Sequence, residues 1–390
     1  MMQVMSITES TAAPDEAEIA ARIARLRAAM ARMNLDAYVT STPDNTYYLT
    51  HFANYVHERP FVLVIGRDGP PRFVAPRLEI PHIRHRAVGG MELVSYREFP
   101  APVGEGWEDA LADALGGAAR IGVESIAPLQ LIDALTGDHV RADLIDDLRM
   151  VKSDYELARI AYVCARLTEV HDDMMSGTGP GETMAAFNSK HIGALMKRVL
   201  ADNPAINMTA TKAHAIFQAA EVTHDPHNFT DLALETAEGG PMITLVNGVI
   251  DGYGGEIERT FFLGHAPEAC KRPFDVMLEA RQAALDATRP GALMSDVDRA
   301  ANEVFIRAGY GENLLHRAGH GIGVTGHEAP FFAEGYDREI LPGMVFTMEP
   351  GVYIEGVGGF RHSDTLAIDE NGLTMLTCGP IDLEALVLPV

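Results

Sequence analysis

The chain has 390 residues and a formal net charge of −24 at pH 7, with 47% hydrophobic and 22% charged residues. That length suffices for two domains, and the composition is ordinary for a globular protein. The acidic excess argues against a nucleic-acid partner, because phosphate backbones need clustered Lys and Arg, and no apolar run reaches the roughly 20 residues that span a bilayer.

The N-terminal part alternates between helical and extended patterns. Apolar residues recur at helical spacing over 17–35, and short apolar runs at 36–42 and 59–69 are typical of strands. We therefore predict a small α/β domain over 17–150. Residues 1–16 lack the basic region and apolar core of a secretory signal, so we expect a disordered lead-in and a cytoplasmic protein.

A second domain, 151–390, is predicted to begin with a helix. Ser153 precedes Glu156 by three positions, which is the pattern of a capping box. In such a box the Ser oxygen and the Glu carboxylate satisfy free N–H groups at the helix start. Further helices are predicted over 182–200, 271–288 and 295–309.

The stretch GYGGEIERTFFLG at 252–264 carries two carboxylates on one face of a strand. Alternation along the strand places Glu256 and Glu258 on one side and Ile257 on the other. Two neighbouring acids of this kind can bind a guanidinium or ammonium group through charge-assisted hydrogen bonds.

Three later segments complete a pattern with this strand. They are GHGIGVTGHEAP at 319–330, GMVFTMEPGVY at 343–353 and GGFRHSDT at 358–365. In order and spacing the four segments resemble the C-terminal half of the pita-bread family, which includes Xaa-Pro aminopeptidases, prolidases, methionine aminopeptidases and creatinases. The resemblance implies an α+β fold. It consists of a smaller α/β N-terminal domain and a catalytic domain whose helices cover a curved antiparallel sheet with a pseudo-twofold axis.

The metal-binding positions of the family are only partly kept. Its metallopeptidases hold two metal ions with Asp, Asp, His, Glu and Glu, and the matching residues in that order are Leu245, Glu256, His320, Glu349 and Ser363. Leu245 offers no ligand atom and Ser363 only a neutral hydroxyl. We therefore expect no metal cofactor. The alternative is a single Mn, Fe or Zn ion on Glu256, His320 and Glu349.

The form E-I-E-R-T resembles the creatinase version of this strand more than the peptidase version. The implied activity is metal-independent hydrolysis of a C–N bond in a small cationic or zwitterionic substrate. The first alternative is an Xaa-Pro aminopeptidase or dipeptidase with a reduced or single-metal site. The others are a lyase acting on a small zwitterion and a non-catalytic binding module.

The resemblance also implies roles for individual side chains. His227, in Pro226-His227-Asn228, matches a creatinase histidine and would be the general acid and base, for which an imidazole is suited near neutral pH. His224 is a weaker candidate in the same loop. Catalysis would involve His227, Glu258 and Glu349. Substrate would be bound by Arg59, Glu256, His320, His327 and Arg361.

Arg59 lies in the segment NYVHERPFVLVIG at 54–66. It matches the arginine with which creatinase reaches across a dimer to the substrate carboxylate. We therefore expect a homodimer in which two subunits share each active site around a small-molecule substrate.

Overall fold

The computed structural model describes residues 7–55 and 57–390. Within them the chain forms two compact units. One spans Ala12–Arg149, and the other spans Met150–Val390 together with the described N-terminal residues up to Thr11.

The expected disordered lead-in, 1–16, is described from residue 7 onward, and residues 1–6 lie outside the described part. The backbone N–H of Ser10 donates to the carbonyl of Ala158 at 3.2 Å. Arg159 Nη1 donates to the Ser10 carbonyl at 3.0 Å. Defined contacts with the helix that begins at Asp154 are therefore present from Ser10.

The unit Ala12–Arg149 is an α/β domain built on one mixed sheet. Its helices are α1 (Glu16–Arg32), α2 (Pro43–Thr50), α3 (Ile80–Arg86), α4 (Trp107–Leu115), α5 (Leu129–Ala134) and α6 (Leu144–Arg149). Its strands are β1 (Ala37–Thr40), β2 (Val62–Gly66), β3 (Arg72–Pro76), β4 (Glu92–Tyr96), β5 (Arg120–Val123) and β6 (Asp138–Arg141). The strand order is β4-β3-β2-β1-β5-β6. The pairs β1–β2 and β2–β3 are antiparallel and the remaining pairs are parallel.

Helix α1 shows how the sequence specifies these elements. Asp15 caps it, with its carboxylate accepting from the N–H of Glu18 at 2.8 Å. Apolar side chains spaced three or four positions apart then face the interior. They are Ile19, Ile23, Leu26 and Met30, all buried. The helix predicted from periodicity over 17–35 is therefore present.

In its described residues the second unit contains a large sheet and four long helices. The helices are α7 (Asp154–Gly177), α8 (Met184–Asp202), α9 (Glu268–Ala287) and α10 (Met294–Arg307). The strands of the first half are β7 (Lys212–Gln218), β8 (Gly239–Ile250), β9 (Tyr253–Glu258) and β10 (Thr260–Leu263). Those of the second half are β11 (Gly319–Gly321), β12 (Glu328–Phe332), β13 (Val345–Met348), β14 (Gly351–Ile354), β15 (Gly358–Arg361), β16 (Ser363–Asp369), β17 (Gly372–Met375) and β18 (Val387–Leu388).

The large sheet runs β12-β11-β13-β16-β9-β8-β10-β18, with β7 also paired to β8 and β17 to β16. Every pair is antiparallel except β10–β18. Strands β14 and β15 form a separate hairpin. The predicted α+β class is confirmed. No helix in the described part of the chain is long and apolar enough to cross a membrane.

Helix α7 begins as the sequence predicts. The N–H of Glu156 donates to Ser153 Oγ at 3.3 Å, and the N–H of Ser153 donates to a Glu156 carboxylate oxygen at 3.1 Å. The helix then packs on β9 so closely that a Cβ on Gly255 would lie 3.0 Å from Cys164 Sγ. One face of β9 is thus covered by α7, and the opposite face carries the acids.

Candidate active site

Strand β9 places both predicted acids on one face. Glu256 and Glu258 are buried, at 3% and 2% exposure. Asn247 of β8 is the paired neighbour of Glu256, and Ser363 of β16 is that of Glu258. The acids therefore stand at the centre of the sheet, where side chains from three adjacent strands meet.

Glu258 is held by Arg361. The guanidinium donates to both carboxylate oxygens, with Nη2 at 3.1 Å from Oε1 and Nε on Oε2. Burial raises the pKa of Glu258, whereas the charge of Arg361 and its hydrogen bonds oppose that rise and favour the carboxylate. Arg361 was predicted to bind substrate. In the structure its guanidinium is engaged with this carboxylate, so substrate contact by Arg361 stays a prediction.

A chain of hydrogen bonds through Tyr353 and His316 orients the Arg361 guanidinium. Its Nη1 donates to Tyr353 Oη at 2.8 Å, and Tyr353 Oη lies 2.7 Å from His316 Nε2. His316 Nδ1 is 2.8 Å from the carbonyl of Arg317, which places its proton on Nδ1 and leaves Nε2 to accept from the tyrosine. Burial lowers the pKa of His316, consistent with a neutral ring. Tyr353 was not singled out from the sequence. The signal was its place four positions after Glu349 in MEPGVY.

Glu256 has a neutral partner. Ser363 Oγ donates to Glu256 Oε1 at 2.6 Å. Burial and the nearby charge of Glu349 raise the pKa of the Glu256 carboxyl. The serine that replaces the last family carboxylate therefore acts here as a hydrogen-bond donor to the carboxylate that remains.

His320 and Glu349 face each other. His320 Nε2 lies 3.2 Å from Glu349 Oε1, and His320 Nδ1 lies 3.0 Å from the Gly321 carbonyl. Burial opposes charge on His320, but Glu349 raises the pKa of the imidazole to about 9. Burial likewise opposes charge on Glu349, and His320 outweighs it and lowers the pKa of that carboxyl. The two groups stabilise each other as an ion pair.

His327 stacks on His320. The ring centroids are 3.6 Å apart and the planes are inclined by 21°. Desolvation and the charge of His320 lower the pKa of His327 to about 4, so this ring is neutral near pH 7. The structure thus brings both predicted histidines of the Gly-rich segment to the acid cluster.

His227 lies on an exposed loop at the rim of the site. Gln218 Nε2 holds this loop by donating to the carbonyls of Val222, Asp225 and Asn228 at 3.1, 2.5 and 3.3 Å. A charge on His227 is among the causes that lower the pKa of His327. The ring is therefore within electrostatic range of the cluster, and its catalytic role stays a prediction. His224, the weaker candidate, is half-buried in the same loop.

Among the residues that the structure describes, two overlapping sets of donor atoms could hold a cation. Within each set the atoms lie within 4.8 Å of one another, and both sets include Glu256. The sets are Glu256, His320, His327 and Glu256, Glu258, Glu349. The three residues predicted to hold a single ion, Glu256, His320 and Glu349, therefore do not all belong to one set.

His320 Nε2 supplies the test of fit for a metal. It is buried and lies 3.2 Å from Glu349 Oε1, the partner with which it forms the ion pair when protonated. With Nδ1 donating to a carbonyl, Nε2 is the nitrogen that can give up its proton and bind a cation, because a histidine ligand is neutral. An imidazole with two carboxylates suits Mn, Fe or Zn, so the residues fit a divalent ion.

Arg59 belongs to the other unit. Its Nε donates to Glu98 Oε1 at 2.6 Å and its Nη1 to Glu58 Oε1 at 2.5 Å. The side chain is partly exposed and precedes β2 instead of lying in it. Substrate binding by Arg59 stays a prediction.

Comparison with known proteins identifies both halves of the chain. The family model described as Metallopeptidase family M24 matches residues 158–370, and that of the Creatinase/Prolidase N-terminal domain matches 22–151. The "Probable dipeptidase PepE" of Mycobacterium tuberculosis is 30% identical over 386 residues, which are 96% of this chain and 98% of that protein. An "Xaa-Pro dipeptidase" of Lactobacillus delbrueckii subsp. lactis is 28% identical over 91% of this chain and 96% of its own length.

A solved structure shows the same fold. The crystal structure of dipeptidase PepE from Mycobacterium ulcerans superposes with a TM-score of 0.82 at 29% identity, covering 97% of this chain and 100% of that one. The pita-bread architecture expected from the resemblance is therefore confirmed.

These matches correct two expectations. The creatinase-like, metal-independent activity is not supported, because the similar proteins are named as dipeptidases and favour the peptidase alternative. The expectation that no metal cofactor is needed is wrong, because the family matched over 158–370 is one of metallopeptidases.

Proposed function

Because the chain belongs to metallopeptidase family M24, we propose that it hydrolyses the amide bond of Xaa-Pro dipeptides with the help of one divalent metal ion. The observation that carries the proposal is the buried Nε2 of His320, which lies 3.2 Å from the Glu349 carboxylate in a cluster that also contains Glu256. A buried imidazole among carboxylates can exchange its proton for a divalent cation, since the same nitrogen becomes a ligand once it is deprotonated.

Glu256, His320 and Glu349 are the residues that would hold the ion. The ion would supply a Lewis acid that polarises the substrate carbonyl. Leu245 and Ser363 lack the carboxylates that complete two-metal sites in the family, so a single ion matches the charged ligands that this chain retains.

The remaining side chains would bind substrate and move a proton. The acid cluster would attract the positively charged amino terminus of a free dipeptide through Glu258 and Glu349. His227, at the rim, would give a proton to the leaving proline nitrogen. The substrate carboxylate would be bound by Arg59 of the second subunit of a homodimer, which accounts for a substrate with both termini free.

The test combines metal analysis with a peptide panel. Purified protein is analysed by mass spectrometry for metals, and release of amino acids is followed with Ala-Pro, Ala-Ala and N-acetyl-Ala-Pro. We expect one metal equivalent per chain, cleavage of Ala-Pro above Ala-Ala, no cleavage of the acetylated peptide, and loss of activity on chelation that Mn²⁺, Zn²⁺ or Fe²⁺ restores.

A matched pair of histidine variants separates the site from the rest of the chain. His320→Ala should lose both metal and activity, whereas the exposed His265→Ala should keep both. Failure of the wild-type protein to release proline with any of the three ions would overturn the proposal.

A further inference from the structure

Strand β8 presents an open face at the centre of the sheet. Leu245 and Asn247 are half-buried. Thr244, which precedes Leu245, and Val246, which lies between the two, are fully buried. This alternation places Leu245 and Asn247 on the accessible side. Asn247 pairs with Glu256 across the β8–β9 ladder. Because directly paired residues project from the same face with Cβ atoms about 4.5–5.5 Å apart, the Asn247 amide stands beside the Glu256 carboxylate.

The amide of Asn247 has no protein partner among the residues that the structure describes. Its neighbours on this face are engaged, since Glu256 accepts from Ser363 and Glu258 accepts from Arg361. An asparagine side chain offers two donor hydrogens and one acceptor oxygen. Half-buried and unengaged next to the acid cluster, the amide is available to a bound molecule.

The strand register places a second polar residue beside Asn247, on the neighbouring strand β7. His214 of β7 pairs with Asn247 on its other side and is exposed. Ile216 pairs with Leu245 in the adjacent row, which is apolar. The open face is therefore divided into a polar row that leads to Glu256 and an apolar row that leads toward Glu258.

We propose that Asn247 is a specificity-determining residue that binds substrate: its amide N–H donates to a carbonyl or carboxylate oxygen of the dipeptide held beside Glu256. Leu245 packs against the apolar part of the same substrate. The inference rests on the proposed dipeptidase function and names a contact within that site.

The experiment compares Asn247→Ala with Val249→Ala, a control on the same face of β8 two positions further from the acids. We expect Asn247→Ala to raise KM about fivefold to tenfold, the change that corresponds to one neutral hydrogen bond, with kcat within twofold. Asn247→Asp should raise KM further, because it adds a negative charge beside Glu256 and faces the substrate oxygen with an acceptor. Val249→Ala should leave KM unchanged, and circular dichroism should be the same for all variants.

Two further arms identify the accepting oxygen and separate this inference from the proposed function. If the penalty of Asn247→Ala disappears with alanyl-pyrrolidine, which lacks the carboxyl group, the substrate carboxylate is the acceptor; if the penalty persists, the peptide carbonyl is. Calorimetric binding of Ala-Pro to chelator-treated protein reports the contact without turnover. Binding without cleavage would refute only the dipeptidase activity. An unchanged KM and Kd in Asn247→Ala, or no binding to the wild-type protein, would overturn the role of Asn247.

Discussion

Glu258 and Arg361 form a buried ion pair in which the guanidinium donates to both carboxylate oxygens. Removing one member leaves the other charge in a low-dielectric interior, which typically costs about 3–5 kcal/mol. We therefore expect Arg361→Gln to lower the free energy of unfolding of the catalytic unit by about that amount, measured by urea denaturation.

An exposed ion pair in the same unit provides the control. Arg299 and Asp296 are 2.5 Å apart and about half exposed. Arg299→Gln should change the free energy of unfolding by less than about 1 kcal/mol, as exposed pairs generally do. Equal losses in the two variants would show that the Glu258–Arg361 pair is not a special determinant of stability.

The second prediction concerns the loop held by Gln218. If His227 transfers the proton, His227→Ala should lose about 10²–10⁴-fold in kcat, the usual contribution of general acid–base catalysis. His224→Ala, three positions earlier in the same loop, should stay within a few-fold of the wild-type rate. Because His227 is exposed, the melting temperature should not move. A His227→Ala variant with near-normal turnover would remove this residue from the mechanism.

Local pattern was sufficient to predict the strand that carries the acids. Alternation in GYGGEIERT placed Glu256 and Glu258 on one face, and the register of β9 with β8 and β16 has them there. The capping box at Ser153 likewise fixed the start of α7. Both signals involve residues a few positions apart, where backbone geometry alone decides which side chains meet.

The partner of Glu258 could not be found in this way. Arg361 is 103 positions away and reaches Glu258 through the pairing of distant strands. The same holds for Ser363, whose contact with Glu256 spans 107 positions. Resemblance indicated that these residues belong to the site, but only the three-dimensional register shows which group each one holds.

The third prediction follows from the two missing carboxylates. Restoring them in a Leu245→Asp, Ser363→Glu double variant should raise the bound metal from one to two equivalents per chain, because bridging carboxylates are what hold two cations close together. The neutral double variant Leu245→Asn, Ser363→Gln has nearly the same shape and should stay at one equivalent. Metal content of the folded protein is the measurement, and equal stoichiometry in the two variants would contradict the expectation.

The fourth prediction concerns stability in acid. His171 is fully buried, its Nε2 lies 3.2 Å from Thr244 Oγ1, and burial, then the charge of Arg259, lowers its pKa to about 3. In the unfolded state the His171 imidazole takes up a proton near pH 6.5, whereas in the folded state it takes one up only near pH 3. The free energy of unfolding should therefore fall by about 1.4 kcal/mol per pH unit from this group as pH drops through that window.

A substitution isolates that contribution. His171→Gln can keep a donor near Thr244 but does not titrate. Between about pH 6 and pH 4 the free energy of unfolding of this variant should therefore decrease less steeply than that of the wild type, by about 1.4 kcal/mol per pH unit. His265→Gln, at an exposed position, should follow the wild-type curve. Parallel curves for wild type and His171→Gln would exclude His171 as a cause of acid sensitivity.

The last prediction concerns assembly. If Arg59 completes the site of a second subunit, Arg59→Ala should raise KM for Ala-Pro at least tenfold and leave the dimer intact, since one partly exposed ion pair seldom decides association. Its partners Glu58 and Glu98 hold the guanidinium in place, so Glu98→Gln should raise KM less. Arg97→Ala, at an exposed arginine nearby, should change nothing. Light scattering and kinetics on the same samples decide the matter, because a fully active monomer would contradict a shared site.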